Sequence, residues 1–180
     1  EGIAGQVRDA LVRAIASGPV DGVIVDVRLN SGGAGDELME ALSMFVDGGV
    51  AGYQIRRGGR TATNIPSGRT LPQLRGKPVV VLVSGICESA CEHFAVAMHD
   101  LKRATTLGTD TAGNTETTYP HNYEDGSRLL LAEEMFVRAD GSSIEDVGFK
   151  PAVVMDVPWY RYALEEDPQV KRAVEITRAR

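Results

Sequence analysis

The sequence contains no long hydrophobic run, no excess of positive charge, and few cysteines and histidines. None of its apolar runs approaches the roughly 20 residues that a helix needs to span a bilayer. Its 180 residues include 19 lysines and arginines against 25 acidic residues, a formal net charge of −6. Positive charge is concentrated locally only at Arg56, Arg57 and Arg60. We therefore expect the protein to bind neither nucleic acid nor anionic membranes.

The two cysteines, Cys87 and Cys91, do not form a recognisable zinc site. His93 lies nearby, but a fourth ligand and the usual ligand spacing are both missing. We expect no metal and no other cofactor. A disulfide across so short a loop would require an oxidising compartment, so two small buried thiols are the favoured interpretation.

The hydrophobic pattern predicts one α/β domain over residues 1–180, large enough to bury its own core. Helices are predicted at 3–17, 36–46, 89–101 and from 167 onward, and buried strands at 23–29, 79–83 and 103–107. Because helices and strands alternate, we expect a largely parallel sheet with flanking helices. The long connection at 58–75 has room for a hairpin. A C-terminal hairpin, at 115–119 and 128–131, is expected to extend or edge the sheet.

The stretch from Pro78 to Asn114 combines a buried strand, a sharp turn and a helix. The strand breaks at Ser84-Gly85, and Ser89 then lies at the start of the helix, beside its first free backbone N–H groups. Acyl-transfer enzymes use this arrangement for a nucleophile and half of its oxyanion hole. Ser89 and Glu92 also fit a capping box, and on these residues alone the cap is the commoner outcome.

A second glycine-rich turn follows the first predicted strand, at Asn30-Ser31-Gly32-Gly33. Two adjacent glycines allow backbone conformations and close approaches that side chains would prevent. A plain strand-to-helix turn explains them. On these residues alone the plain turn is the favoured interpretation, and the functional alternative is a backbone N–H directed at an oxyanion.

In their order, the motifs resemble the catalytic core of the S41 family of serine peptidases. The resemblance covers nearly the whole chain, through GVIVDVRLNSGG (22–33), PVVVLVSGICESACEHFAVAMHDLKRATTLGTDTAGN (78–114), the 124–151 segment with SSIEDVGFKP, and DPQVKRAVEI (167–176). That family includes the C-terminal processing (tail-specific) proteases and a tricorn-like and retinoid-binding-protein-like branch. The resemblance implies a ClpP/crotonase-like α/β fold and a polypeptide substrate.

The resemblance also implies roles for individual residues. Ser89 matches the nucleophile, and the backbone N–H groups of Ala90 and of the Gly32-Gly33 turn match the oxyanion hole. Tail-specific proteases carry a catalytic lysine at the position of Asn114, which cannot take a proton from serine. Asn114 is therefore expected only to line the site.

The tricorn-like branch uses serine, histidine and glutamate instead, and its glutamate matches Glu145. A capping box from Ser142 to Glu145 is the alternative, but no periodic apolar helix follows it. The histidine of that branch lies on a strand before residue 1. We therefore expect an N-terminally truncated core, nearly inactive alone, whose general base lies upstream.

His93 is the alternative base inside the chain, since it lies one helical turn after Ser89. The favoured interpretation is that His93 lines the site or packs. His99 and His121 are expected to be solvated. Asp100 matches an aspartate of the family but lies too far along the helix for direct catalysis, so we expect a structural role.

The family resemblance favours an exported or periplasmic protein, and it allows a homo-oligomer and a PDZ or other domain upstream without deciding either. Two other functions remain open. The first is a non-catalytic peptide- or ligand-binding module on the same fold, which the replacement of lysine by Asn114 would suit. The second is a crotonase-type acyl-CoA enzyme, which uses two backbone N–H groups but needs no nucleophilic serine.

Overall fold

Eight strands within residues 2–179, the part of the chain that the computed structural model describes, form two four-stranded sheets. They are β1 (Val23–Asp26), β2 (Gly49–Arg56), β3 (Gly59–Ile65), β4 (Val79–Val83), β5 (Thr105–Gly108), β6 (Thr117–Asn122), β7 (Arg128–Val137) and β8 (Val153–Val154). The helices are α1 (Ile3–Ser17), α2 (Gly35–Ser43), α3 (Ala90–Asp100) and α4 (Pro168–Arg178), with short 3₁₀ turns at Pro72–Leu74 and Trp159–Arg161. None of these helices is long and apolar enough to cross a membrane. The predicted α/β class is confirmed.

The parallel sheet has the strand order β1-β4-β5-β8. Its strand β4 consists only of valine and leucine, and all five side chains are buried. Val79, Val81 and Val83 belong to the larger core with α1, α2 and α3, whereas Val80 and Leu82 pack with α4. A strand covered on both faces in this way explains the continuous apolar run in the sequence.

The antiparallel sheet, in the order β3-β2-β7-β6, is separate from the parallel sheet. The expectation that the C-terminal hairpin extends the parallel sheet was therefore wrong. The hairpin formed by β6 and β7 pairs instead with β2, from Tyr53–Val137 to Arg56–Glu134. The 58–75 connection contains one strand, β3, rather than a hairpin of its own; β3 pairs with β2, which precedes the connection and packs against α3.

The ends of several strands differ from the prediction. Strand β1 ends at Asp26 rather than at Leu29, because the Asp26 carboxylate accepts the backbone N–H of Arg28 (3.1 Å) and starts a turn. Strands β2 and β7 are longer than predicted, since β2 pairs with β3 along its whole length and β7 pairs with β2 beyond its own hairpin.

Arg28 fastens the C-terminal tail to the core. Its buried guanidinium donates to Asp26, to Asp167 (2.7 Å) and to Gln169 (3.0 Å), and it stacks on the Trp159 ring at 4.0 Å. Such a buried ion cluster must be fully paired to be tolerated. The C-terminal tail therefore packs on the domain at Trp159.

Candidate active site

Three turns at the carboxyl ends of parallel strands meet at one place. The 27–34 turn follows β1, the 84–89 turn follows β4, and the 109–116 loop follows β5. A hydrogen bond from the Glu88 N–H to the Asn30 carbonyl (3.4 Å) joins the first two turns. Ligands of open α/β sheets bind at this edge. The candidate site is therefore built from these turns.

Ser89 lies at the centre of this site, at the N-cap of α3, with a backbone φ of 53° and ψ of −121°. This conformation costs a serine roughly 1–3 kcal/mol, so neighbouring contacts must impose it. Its N–H donates to the Asn114 carbonyl (2.8 Å) and to Glu92 Oε2 (3.1 Å). The predicted cap contact and the predicted strand–turn–helix geometry coexist here, so neither interpretation excludes the other.

Glu92 is fully buried and joins the 109–116 loop to the 84–89 turn. Its carboxylate accepts hydrogen bonds from Thr111 Oγ1 (2.5 Å) and from the N–H groups of Gly113 (2.8 Å) and Asn114 (3.0 Å), besides Ser89. The sequence predicts for Glu92 only a capping role at the start of α3. A charged residue inside an otherwise buried helix was the signal for this larger role, because a buried charge needs several partners.

Cys87 and Cys91 form a disulfide, with Cα atoms 5.5 Å apart. The expectation of two free buried thiols was wrong. The turn doubles back before α3, and this brings Cys87 against the first turn of the helix, within the usual span of a disulfide. The bond encloses Ser89 in a five-residue ring, which by chain entropy stabilises the fold by about 2 kcal/mol.

The glycine pair at the end of β1 lies against Ser89. Gly32 has a φ of 98°, and a Cβ atom there would lie 2.8 Å from Ser89 Cβ. The Gly32 N–H donates to Asn30 Oδ1 (2.8 Å), so it is already occupied. Of the two glycines predicted for an oxyanion hole, Gly33 is therefore the better candidate.

A cavity of about 480 Å³ opens beside Ser89, between α3 and the antiparallel sheet. Ser89, Ala90, Gly33 and His93 line one side of it. The opposite side includes Gln54, Glu116 and Glu134. None of the three has a local signal in the sequence: Gln54 and Glu134 reach the site through the pairing of β2 with β7, and Glu116 through the 109–116 loop.

A second cavity, of about 300 Å³, lies on the other side of the Gly33 and Ala90 backbone. Its lining is mainly apolar and includes Val7, Leu38 and Phe94 from three helices. A cavity of mixed polarity and a mainly apolar cavity therefore both border Gly33 and Ala90.

His93 is buried and stacks on the Phe136 ring, with the ring centroids 4.0 Å apart. Burial lowers its pKa to about 4, against the opposing effects of a hydrogen bond to the Thr115 backbone and of the Glu145 charge. Nε2 has no hydrogen-bond partner within residues 2–179. His93 is thus neutral near pH 7, and it is one of the residues that line the cavity.

Glu145 lies behind His93. Its Oε2 accepts hydrogen bonds from the Thr115 N–H (2.8 Å) and from Thr115 Oγ1 (2.5 Å), and no helix follows it. The capping-box alternative is therefore wrong. The Glu145 charge acts on His93, and both residues hydrogen-bond to Thr115, for which the sequence offers no local signal.

Asn114 lies next to Ser89, as the motif alignment predicts. Its carbonyl accepts the Ser89 N–H, its own N–H donates to Glu92, and its side chain reaches Glu88 Oε2 at 3.3 Å. Its side-chain amide faces Glu88 and does not line either cavity. Asn114 thus contributes mainly backbone groups to the site.

The remaining candidates lie outside the site. Asp100 pairs with Arg138 at 2.5 Å, which agrees with its predicted structural role. His121 is exposed and contacts Glu133. His99 was expected to be solvated, but it is half-buried and packs edge-on against Phe149. Residues 2–179 contain no group of three or more histidine, cysteine or acidic side chains placed to hold a metal.

Comparison with known proteins shows which family the sequence matches. The model of peptidase family S41 matches residues 2–155. A "Probable CtpA-like serine protease" of Staphylococcus aureus (strain N315) is 29% identical over 157 residues, which cover 87% of this chain and 32% of that protein. The chain thus spans about a third of the length of the curated relatives it matches.

Solved structures show the same fold. The photosystem II D1 C-terminal processing protease matches with a TM-score of 0.79 and 26% identity, over 94% of this chain and 42% of that one. The tricorn protease matches with a TM-score of 0.61 and 25% identity, over 87% of this chain and 15% of that one.

The contact between Gly32 and Ser89 leads to a stability prediction. Gly32→Ala should lower the free energy of unfolding in urea by roughly 1–3 kcal/mol, because the new Cβ meets Ser89 and the backbone φ is unfavourable. Gly35→Ala is the matched control, since a Cβ there meets nothing within 4 Å and should be neutral or slightly stabilising. Equal effects of the two substitutions would contradict the close approach of the turns.

The burial of His93 leads to a pH prediction. Its pKa is lowered from 6.5 to about 4 in the folded state, so the unfolded chain binds this proton more tightly. His93 therefore does not lower the free energy of unfolding above pH 6.5, and it lowers this free energy progressively as the pH falls toward 4. Between these limits His93 should account for a loss on the order of 3 kcal/mol.

Urea unfolding across this pH range compares the wild type with His93→Phe, which keeps an aromatic ring but cannot titrate. The variant should lose less stability on acidification, whereas the exposed-site control His121→Phe should behave as the wild type. A His93→Phe curve parallel to the wild type would show that His93 does not titrate as described.

Proposed function

The chain belongs to peptidase family S41, and from this membership we propose that it is a serine endopeptidase core in which Ser89 is the nucleophile. Ser89 Oγ attacks the carbonyl carbon of a peptide bond, and its proton passes to a general base. The C–N bond then breaks as the base returns the proton to the leaving amine. Water hydrolyses the resulting acyl-enzyme in the same two steps.

The observation that carries this proposal is the strained backbone of Ser89 at the start of α3, pressed against the glycine turn. Serine at a strand–turn–helix junction with a positive φ is the arrangement of a nucleophile elbow. A plain helix cap needs neither this strain nor the contact with Gly32.

The oxyanion hole would consist of the N–H groups of Ala90 and Gly33. Ala90 is the first residue of α3, where free N–H groups and the helix dipole favour negative charge. Gly33 borders both cavities at the same place. A peptide crossing these two groups would place one side chain in each cavity, with the carbonyl to be cleaved between them.

The general base is the catalytic group that remains to be assigned. Asn114 cannot accept the proton, and the low pKa of His93 makes protonation of its ring unfavourable during attack. We therefore assign the base to a histidine outside residues 1–180, in the longer protein that the relatives exemplify. Glu145 would support the positioning of the base from its place on Thr115.

Covalent labelling by a fluorophosphonate tests this function. We expect labelling of the longer protein, abolished by Ser89→Ala and unchanged by Ser31→Ala, which alters an exposed serine of the neighbouring turn. The isolated chain should react roughly 10²-fold or more slowly, because it lacks the base.

Labelling that survives Ser89→Ala would contradict the assignment of the nucleophile. Equal labelling of the chain and the longer protein would place the base inside the chain, at His93. If neither folded protein reacts, the fold serves as a peptide- or ligand-binding module.

A further inference from the structure

The cavity between α3 and the antiparallel sheet is acidic. Glu116 and Glu134 line it, and its lining includes no lysine or arginine. Its volume, about 480 Å³, lies within the usual range of ligand sites. An occupant of this cavity therefore meets negative charge beside Ser89.

Within residues 2–179, Glu134 forms no ion pair with a lysine, arginine or histidine. Arg56 lies directly opposite it on β2, but the Arg56 guanidinium pairs with Glu133 instead. The Tyr119 hydroxyl donates a hydrogen bond to Glu134, and this bond raises the pKa of Tyr119. A neutral hydroxyl satisfies part of the carboxylate and leaves its charge available to a ligand.

Gln54 contributes a buried acceptor without a donor. It pairs with Phe136 across β2 and β7, so its side chain lies on the face that also carries Glu134. Gln54 Oε1 is inaccessible to solvent and has no hydrogen-bond partner among the described residues. Buried polar atoms left unpaired are costly, and a cluster of them next to a cavity marks the place of a missing ligand group.

His93 Nε2 is the second unpaired buried atom of the same cavity. The ring hydrogen-bonds to the Thr115 backbone and is neutral, so its remaining nitrogen offers a lone pair. The cavity thus presents two carboxylates, and two buried acceptors without partners among the described residues belong to residues of its wall.

We propose that this cavity binds a lysine or arginine side chain of the substrate, at a position next to the cleaved bond, with Glu134 and Gln54 as specificity-determining residues. Ammonium and guanidinium groups are donors only and carry a positive charge, which matches a cavity of acceptors and negative charge. A peptide carboxylate at this place would face like charges and gain no donor. This inference rests on the proposed peptidase function, because that function supplies the peptide.

Binding to the Ser89→Ala chain tests the proposal without requiring turnover. The probes are fluorescent hexapeptides that differ at one residue, which is arginine, its neutral isostere citrulline, or glutamate, placed in turn on either side of the central bond. Fluorescence anisotropy should show that the arginine peptide binds at least roughly tenfold more tightly than the citrulline peptide in one of the two registers.

Glu134→Gln should reduce this preference to less than about threefold, since it removes the charge and keeps the shape. Glu124→Gln is the control, because Glu124 is an exposed carboxylate in the turn between β6 and β7 and does not line the cavity. Gln54→Leu should also weaken arginine binding, and it provides a second variant if Glu134→Gln fails to fold.

Equal binding of the arginine and citrulline peptides, binding of none of them, or an unchanged preference in both variants would overturn the proposal. The result is separable from the peptidase function. If Ser89 reacts with a fluorophosphonate but the preference is absent, only the basic-side-chain site is wrong. If the preference is present but Ser89 does not react, the site stands and the catalytic assignment falls.

Discussion

The buried carboxylate of Glu92 is the interaction on which the site depends. It accepts hydrogen bonds from the backbone of Ser89, Gly113 and Asn114 and from the hydroxyl of Thr111. A buried charge is tolerated only with several such partners. If the 109–116 loop moved away, the carboxylate would become exposed or would lose its hydrogen-bond donors. The loop and the turn that carries Ser89 are therefore held as one unit.

Two further constraints act on the same turn from other directions. The disulfide between Cys87 and Cys91 closes the chain on either side of Ser89, and Gly32 allows the backbone after β1 to touch it. Together they explain how Ser89 persists at a positive φ that would otherwise relax. A serine held rigidly beside free N–H groups is what acyl transfer requires, since the donors must be in place before charge develops.

The elements that the sequence predicts well are those with a strong local signal. The apolar run of β4, the helix starting at Ser89 and the glycine turn at Gly32-Gly33 all lie where the pattern places them. The helical signal of α4 was equally clear, because Asp167 and Pro168 mark its start and Asp167 caps it through the N–H groups of the first turn.

The features that the sequence analysis missed depend on contacts between distant segments. No local pattern indicates that β2 pairs with β7, so the antiparallel sheet and the place of Gln54 and Glu134 beside Ser89 could not be anticipated. The disulfide depends on how tightly the 84–89 turn folds back, which spacing alone leaves undetermined. Pairing and burial, rather than propensity, decide these features.

The reaction rate of Ser89 in a Glu92→Gln variant of the longer protein tests the central claim most directly. The glutamine amide presents a donor where the carboxylate accepted one, so the loop should loosen. The account predicts labelling by a fluorophosphonate at least roughly tenfold slower, with faster hydrogen exchange at Gly113 and Asn114. The control Glu88→Gln, which alters only a side-chain contact to Asn114, should react normally. A folded Glu92→Gln protein with unchanged labelling and exchange would contradict the account, because Ser89 would then be positioned without this carboxylate.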